Sequence, residues 1–574
     1  MKSIRIALAQ MNCTVGALSR NREKMLDQAR KAREADADLL LFPEMALCGY
    51  PPEDLVLKPH FIGAVESELE KLSQELPPDL VCVVGLPRKG NHRPVNAAAV
   101  LVGGEEVASY AKQQLPNYGV FDEQRLFEPG KRPLCLELGE ARFGVHICED
   151  SWVHSAEDSD IFLDLQLTGL LNLSASPFHR GKLPLRQSIL RKTSAAVNAP
   201  LLYCNLVGGQ DELVFDGGSM VISPQGDILS QGKRFSEDLL LVDLPVRETR
   251  QQILPSTRAE IIRIPSPRPP ARKSPLPPAE NLPQEDETRE VYEALCLGLR
   301  DYADKNGFQK VLVAISGGID SALVAAVAVD ALGPERVSGI SLPTRYSSEG
   351  TRNDAVKLAE NLNISMPMLP IQELVEHNLS LLNPLWPGRS PDVTEENLQA
   401  RIRGTLVMAL SNKFGSLVVA TVNKREMATG YATLYGDMCG GYALIKDVPK
   451  TLVFDLCRWS NAQQGYDRIP RSLIERPPSA ELRDDQKDTD SLPPYELLDQ
   501  ILKLYIEEDF GRDEIVSRGF DASTVTRIIR LVDGNEYKRR QAPPGVKITP
   551  KAFGRDRRVP ITNQFRPTPT PEFL

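Results

Sequence analysis

The stretch VLVAISGGIDSALVAAVAVDAL, residues 311–332, decides how the second half of this chain is read. Val311 to Ile315 is a short, β-branched apolar run, as a strand covered on both faces would be. Gly317 and Gly318 remove the side chains that would keep the backbone from a ligand. Ser321 and the alanine-rich run after it open a helix, whose free N–H groups and positive dipole end suit an anion. A Gly-Gly turn alone is an ordinary connection; the whole string between strand and helix points to phosphate. The cradle GxxxxGK[ST] uses a lysine for γ-transfer. SGGIDS has Asp320 instead, and a carboxylate beside phosphates is explained if it holds Mg²⁺.

Strand and helix alternate on both sides of this loop. EDETREVYEALCLGLRDYADKNG (285–307) has an acidic start and helical apolar spacing. RVSGISLP (336–343) predicts a strand, and SSEGTRNDAVKLAENL (347–362) a helix with serine caps. EENLQARIRGTLVMALSNKFG (395–415) predicts a long amphipathic helix, and SLVVATVNKRE (416–426) a strand leading into a ligand loop. A doubly wound parallel sheet, Rossmann-like in layout, places ligands at the carboxyl ends of its strands, where SGGIDS and TVNKRE both fall.

SGGIDS resembles the pyrophosphate-binding loop of the adenine-nucleotide α-hydrolase ATP pyrophosphatases, with Ala314 where that family usually has Gly. The strings PTRYSSEGTRNDA, EENLQARIRG, NKREMATGYATLYGDMCGGYALIKDVPKT, RPPSAELRDDQKDTDSLPPYELLD and EYKRRQAPPG extend a resemblance to the NAD⁺ synthetase family across residues 286–574. The resemblance implies that Ala314, Ile315, Ser316, Gly317, Gly318, Ile319, Asp320 and Ser321 hold ATP phosphates. It implies that Thr421, Lys450 and Ser479 contact ATP, that Asp320 and Glu426 bind Mg²⁺, and that Asn397, Arg401, Glu426, Asp437 and Lys538 contact deamido-NAD⁺. TVNKRE departs from that family's TGNKSE at Val422 and Arg425. The acidic run ELRDDQKDTD is by default a solvated loop, and its place suggests a mobile lid.

SPRPPARKSPLPPAENLP (266–283) cannot build a helix or a central strand, because proline lacks the N–H and fixes φ. Residues 246–285 are therefore expected to be an extended linker. Residues 1–245 form the other domain. IRIALAQMN (4–12), LLLFPE (39–44), LVCVVGLP, NAAAVLVGG, ARFGVHICED, LLNLSAS and PLLYCNLVGG predict strands, and NREKMLDQARKAREADA (21–37) a helix. Such a mixture implies a layered α/β architecture with a mixed sheet.

Glu44 lies in LFPEMALCGYPPEDL, Lys112 in ASYAKQQLPNYGVFDE and Cys148 in FGVHICEDSW. Singly, these residue types are commonly a capping carboxylate, a surface cation and core filler. Together, the three strings resemble the nitrilase (carbon–nitrogen hydrolase) superfamily, which implies an α-β-β-α sandwich with a Glu-Lys-Cys centre. The chemistry suits the types. A thiolate attacks an amide, a carboxylate moves the proton, and an ammonium stabilises the oxyanion. Glu123 matches the further glutamate that braces such sites. Tyr118, Ser176 and Lys182 match positions that hold L-glutamine in glutaminase members. The glycines and acids of VGGQDELVFDGGS (207–219) are read as structural.

The joined halves imply ATP-dependent amidation of deamido-NAD⁺ through an acyl-adenylate, with ammonia from glutamine passed through the interior. Another glutamine-dependent amidotransferase of the ATP-pyrophosphatase class and a non-catalytic nucleotide-binding protein are the alternatives. The remaining composition narrows the setting. A length of 574 residues calls for more than one core. Net charge −9 argues against wholesale nucleic-acid binding. No apolar run is long enough to span a bilayer, and MKSIRIALAQMN lacks the features of a signal peptide. Nine scattered cysteines with no CxxC pair suit a reducing cytoplasm. The NAD⁺ synthetase resemblance also implies a homo-oligomer, at least a dimer through the synthetase domain.

Overall fold

The computed structural model describes residues 3–153, 156–246, 258–265, 274–276, 286–476, 481–483 and 492–565. The chain forms two compact units, Met1–Gln210 with Val214–Gln284, and Asp211–Leu213 with Glu285–Leu574.

The strands of the first unit are β1 (Ser3–Gln10), β2 (Leu39–Leu41), β3 (Val81–Arg88), β4 (Val95–Val102), β5 (Glu105–Ala111), β6 (Leu134–Leu138), β7 (Ala141–Ile147), β8 (Gly169–Ser174), β9 (Leu201–Asn205), β10 (Val207–Gln210), β11 (Leu213–Asp216), β12 (Met220–Ile222), β13 (Ile228–Gln231), β14 (Asp238–Pro245) and β15 (Glu260–Ile264). One mixed sheet runs β14-β1-β2-β3-β4-β5 and the other β13-β12-β9-β8-β7-β6-β15. Period-two alternation explains how they stack. Leu39 and Leu41, Leu171 and Leu173, and Val145 and Ile147 point into a shared core between the sheets. Leu170, Leu201 and Tyr203 face the other way, onto helices Ala156–Leu165 and Lys182–Val197. Helices Leu18–Glu34 and Pro59–Glu75 pack together outside the first sheet. The result is the α-β-β-α sandwich.

The stretch expected to be linker holds a strand. Residues Glu260–Ile264 pair in parallel with Leu134–Leu138 and lengthen the second sheet. EIIRI lies before the proline-rich run and keeps its N–H groups, so it can join a sheet edge.

The second unit has a parallel sheet of β16 (Val311–Ala314), β17 (Val337–Ile340), β18 (Leu417–Ala420) and β19 (Tyr442–Ala443), in the order β17-β16-β18-β19. Helices Glu287–Lys305, Ile319–Leu332 and Lys450–Gln464 pack on one another. Val407 of helix Val393–Phe414 and Val375 of helix Gln372–Leu382 join Leu312 and Val418 in a separate core cluster. Helix Glu287–Lys305 begins where Asp286 accepts hydrogen bonds from the Thr288 and Arg289 N–H groups. Helices Tyr495–Leu502, Arg512–Ser517 and Ala522–Gly534 enclose another apolar cluster. The strand order reverses between β16 and β18, so the crevice for a ligand lies at their carboxyl ends.

Candidate functional site

In the first unit, Glu44, Lys112 and Cys148 each lie just past a strand, after β2, β5 and β7. Lys112 Nζ donates to Glu44 Oε1 at 2.8 Å and to Glu123 Oε1 at 3.0 Å. Glu44 also accepts from Asn96 Nδ2 at 2.7 Å and from the Ala175 N–H at 2.9 Å. Glu123 accepts from the Tyr50 hydroxyl at 3.1 Å. Burial pulls the Lys112 ammonium down, but Glu123, Glu44 and Cys148 outweigh it and hold the group above its ordinary range. Burial and then the Glu44 charge push the Cys148 thiol well up, against the pull of Lys112. The sulfur therefore rests as a thiol, and a base must take its proton before it can attack. Burial lifts the Glu123 carboxyl to about 7, against the pull of Lys112.

Cys148 has φ +43°, left-handed for a residue with a Cβ, at an expense of about 1–2 kcal/mol. It opens a tight turn, Cys148–Ser151. Asp150 in that turn accepts from the Ile147 N–H at 2.9 Å and from the N–H groups of Gln113 and Gln114 at 3.0 and 2.7 Å. Beside the thiol, Tyr118 donates to Glu149 at 3.1 Å. Lys182 Nζ stands 4.3 Å over the Trp152 ring. Burial and then Arg186 lower Lys182 to about 8, partly opposed by Cys148, Asp216 and Glu149. Ser176 is buried, and its N–H donates to Asn205 at 2.9 Å. Asp216, from the motif read as structural, accepts from Arg186 at 2.9 and 3.1 Å and from Arg234 at 2.9 Å, with no exposure of its own.

In the second unit, the turn after β16 needs its glycine. Gly317 has φ +81°, and a Cβ there would lie 2.2 Å from the Thr351 carbonyl oxygen. Ser316 and Ser321 close the turn: the Gly318 N–H donates to Ser316 Oγ at 3.1 Å, and Ser321 Oγ donates to the Gly318 carbonyl at 2.9 Å. Helix Ile319–Leu332 then presents its N-terminus, with Asp320 in the first turn.

The neighbouring loop, after β18, joins this one. Asn423 Nδ2 donates to Asp320 Oδ1 at 3.0 Å, and Asn423 Oδ1 accepts from the Glu426 N–H at 3.1 Å. Lys450, the first residue of its helix, pairs with the other Asp320 oxygen. Burial and then the Asp320 charge push the Glu426 carboxyl up to about 8. A buried carboxyl held up by a neighbouring carboxylate in this way suits a hard divalent cation, which would relieve the repulsion.

The family models match residues 5–253 to carbon–nitrogen hydrolase and residues 291–542 to NAD synthase. The glutamine-dependent NAD(+) synthetase of Thermotoga maritima is 46% identical over 99% of this chain and all of its own length. The chain belongs to the glutamine-dependent NAD(+) synthetase family. That of Acinetobacter baylyi is 42% identical over 99% of this chain and all of its own length. The solved structure of the Acinetobacter baumannii glutamine-dependent NAD⁺ synthetase, in complex with ADP, is 39% identical. It covers 98% of this chain and 99% of its own, with a TM-score of 0.75.

Of the residues that the NAD(+) synthetase resemblance named, the structure brings Asp320, Glu426 and Lys450 to the ends of β16 and β18, with Thr421 directly after β18. Asn397, Arg401, Asp437 and Lys538 gather elsewhere in this unit, around residues 430–437. Asn397 accepts from Thr433 Oγ1 at 2.7 Å, Arg401 donates to the Leu434 carbonyl at 3.2 Å, and Asp437 accepts from the Thr433 N–H at 2.6 Å. Lys538 donates to the Gly430 and Ala432 carbonyls at 2.7 and 2.9 Å. Glu426, expected among these as well, accepts from the Asn423 N–H at 3.0 Å. Ser479 and the acidic run Asp484 to Asp490 lie outside the described residues. Val422 packs in the helical lobe's core, and the buried Arg425 guanidinium lies 4.7 Å over the Tyr495 ring. Both departures from the TGNKSE pattern therefore leave the Asn423–Asp320 contact in place. Sequence reading missed Asn96, Tyr50, Asn423 and Asp150. Their partners are 3 to 103 residues away, and no local spacing marks them.

Proposed function

We propose that this protein makes NAD⁺ from deamido-NAD⁺, ATP and L-glutamine, releasing AMP, pyrophosphate and glutamate. The observation that carries the reading is one chain bearing both a buried Glu44–Lys112–Glu123 cluster around Cys148 and a glycine loop joined through Asp320 to Asn423 and Lys450.

Glu44 takes the Cys148 proton as the thiol attacks the glutamine amide, and returns it to departing ammonia. Lys112 remains charged and stabilises the oxyanion. Tyr118, Ser176 and Lys182 hold the amino-acid end of glutamine. In the second unit, residues 314–321 cradle the ATP phosphates, and Thr421, Lys450 and Ser479 complete that site. Asp320 and Glu426 would hold Mg²⁺, which neutralises phosphate charge when bound. Asn397, Arg401, Glu426, Asp437 and Lys538 orient deamido-NAD⁺. Its carboxylate attacks the α-phosphate, pyrophosphate leaves, and ammonia displaces AMP from the acyl-adenylate. Free ammonia is scarce at neutral pH because it is mostly ammonium, so delivery from the glutaminase centre through the interior supplies the nucleophile.

We also infer a homo-oligomer, at least a dimer, formed through the second unit, in the cytoplasm. Leu381 and Leu385 support this: they are 64% and 74% exposed at and just past the end of helix Gln372–Leu382. Light scattering of L385E against the parent chain tests it. The deciding experiment for the reaction is Cys148→Ala assayed with both nitrogen donors. NAD⁺ formation with glutamine should vanish and that with ammonium chloride persist; loss of both contradicts separate centres.

A further inference from the structure

In the first unit, Lys112 and Cys148 directly follow different strands, β5 and β7. One side chain links the two supports. Asp150 Oδ2 accepts from the N–H of Ile147, directly before Cys148, at 2.9 Å, and from the Tyr110 hydroxyl at 2.8 Å. Its Oδ1 accepts from the N–H groups of Gln113 and Gln114, directly after Lys112. All four hydrogen bonds come from the two segments that carry the reacting groups. Tyr110 itself is two residues before Lys112 on β5. Both carboxylate oxygens are filled by donors, so Asp150 has no lone pair aimed at the thiol and is not a base for it. The left-handed backbone of Cys148 persists only if its surroundings hold it.

We propose that Asp150 is a positioning residue, setting the separation of the Cys148 thiol and the Lys112 ammonium by tying the turn behind one to the strand end behind the other. This rests on reading Cys148 as the nucleophile. An asparagine at position 150 keeps the size but turns an NH₂ toward N–H donors on one side, so one support must move.

The test uses the full chain carrying Asp150→Asn and, separately, Tyr110→Phe, which removes one donor and leaves the carboxylate. For Asp150→Asn, glutamate release should lose about 100-fold in kcat while glutamine KM stays within about threefold. For Tyr110→Phe the loss should be smaller, about five- to tenfold. In both, the pH profile of Cys148 alkylation by iodoacetamide should move to higher pH, because the thiolate loses Lys112. NAD⁺ formation from ammonium chloride reports on the second unit. Unchanged kcat in the folded variants overturns the proposal. So does a loss that disappears once activity is divided by the number of Cys148 thiols still alkylated, since that marks a purely structural role. If Asp150→Asn does not fold, Tyr110→Phe decides by the same two measurements. Glutamate release that survives Cys148→Ala instead refutes the nucleophile itself.

Discussion

Lys112 Nζ lies 2.8 Å from Glu44 Oε1, and both side chains are only 1% exposed. With Glu123 at the same ammonium, one cation serves two carboxylates away from water. Lys112→Met leaves both acids uncompensated, and losing one partner of a buried pair costs about 3–5 kcal/mol. The melting temperature of the first unit should fall, and glutamate release should drop by about 10²–10³-fold. Calorimetry and a glutaminase assay check this; a variant as stable as the parent would show that this ion pair does not hold the first unit together.

Lys182 gives the glutamine site a pH limit. Its ammonium, lowered to about 8, discharges as pH rises through that value. If it holds the carboxylate of glutamine, KM for glutamine should climb about tenfold per pH unit above 8, while ammonium-dependent synthesis does not follow. Lys182→Arg should keep KM level, because a guanidinium stays charged. A wild-type KM that is flat to pH 9.5 removes Lys182 charge from recognition.

The Arg186–Asp216–Arg234 cluster governs acid stability. Burial alone would raise the Asp216 carboxyl, but the two guanidiniums win and bring it to about 2. A depressed carboxylate contributes stability above its unfolded pKa, and that contribution fades as pH falls from about 4 through 2. It amounts to about 2 kcal/mol. Asp216→Asn should flatten this acid slope and destabilise the protein at neutral pH by about 3 kcal/mol, because the buried Arg186 guanidinium loses its carboxylate. Denaturant titrations from pH 2 to 7 read both effects.

Gly317→Ala should separate the two chemistries from the other side. A methyl at φ +81° meets the Thr351 carbonyl, so the turn must open. Pyrophosphate release should fall at least about 100-fold with either nitrogen donor. Glutamate release in the absence of ATP should hold, and equal loss of both activities would argue against a local effect.

Local signals carried much of this. Strand, glycine turn and helix are adjacent in sequence at residues 311–332, so SGGIDS announces its own geometry. Glu44, Lys112 and Cys148 were found because family strings surround them. What holds them was hidden. Asp150 gathers N–H groups from residues 113, 114 and 147, and Asn423 reaches Asp320 from 103 residues away. Backbone donors leave no mark in a sequence. Strand β15 was missed because the prolines after it dominate the composition of 246–285. Its five residues show their role only once β6 is placed beside them. Glu426 was assigned to two ligands by family likeness, and its contact with the Asn423 N–H shows only once the loop is folded.

Strand β1 takes its outer neighbour from β14, with Ser3 opposite Pro245. Strand β1 therefore waits for a mate made more than two hundred residues later. At about 5–20 residues per second, that edge stays open for roughly ten seconds or more during synthesis. Nascent chains halted before residue 238 should be the ones that chaperones hold.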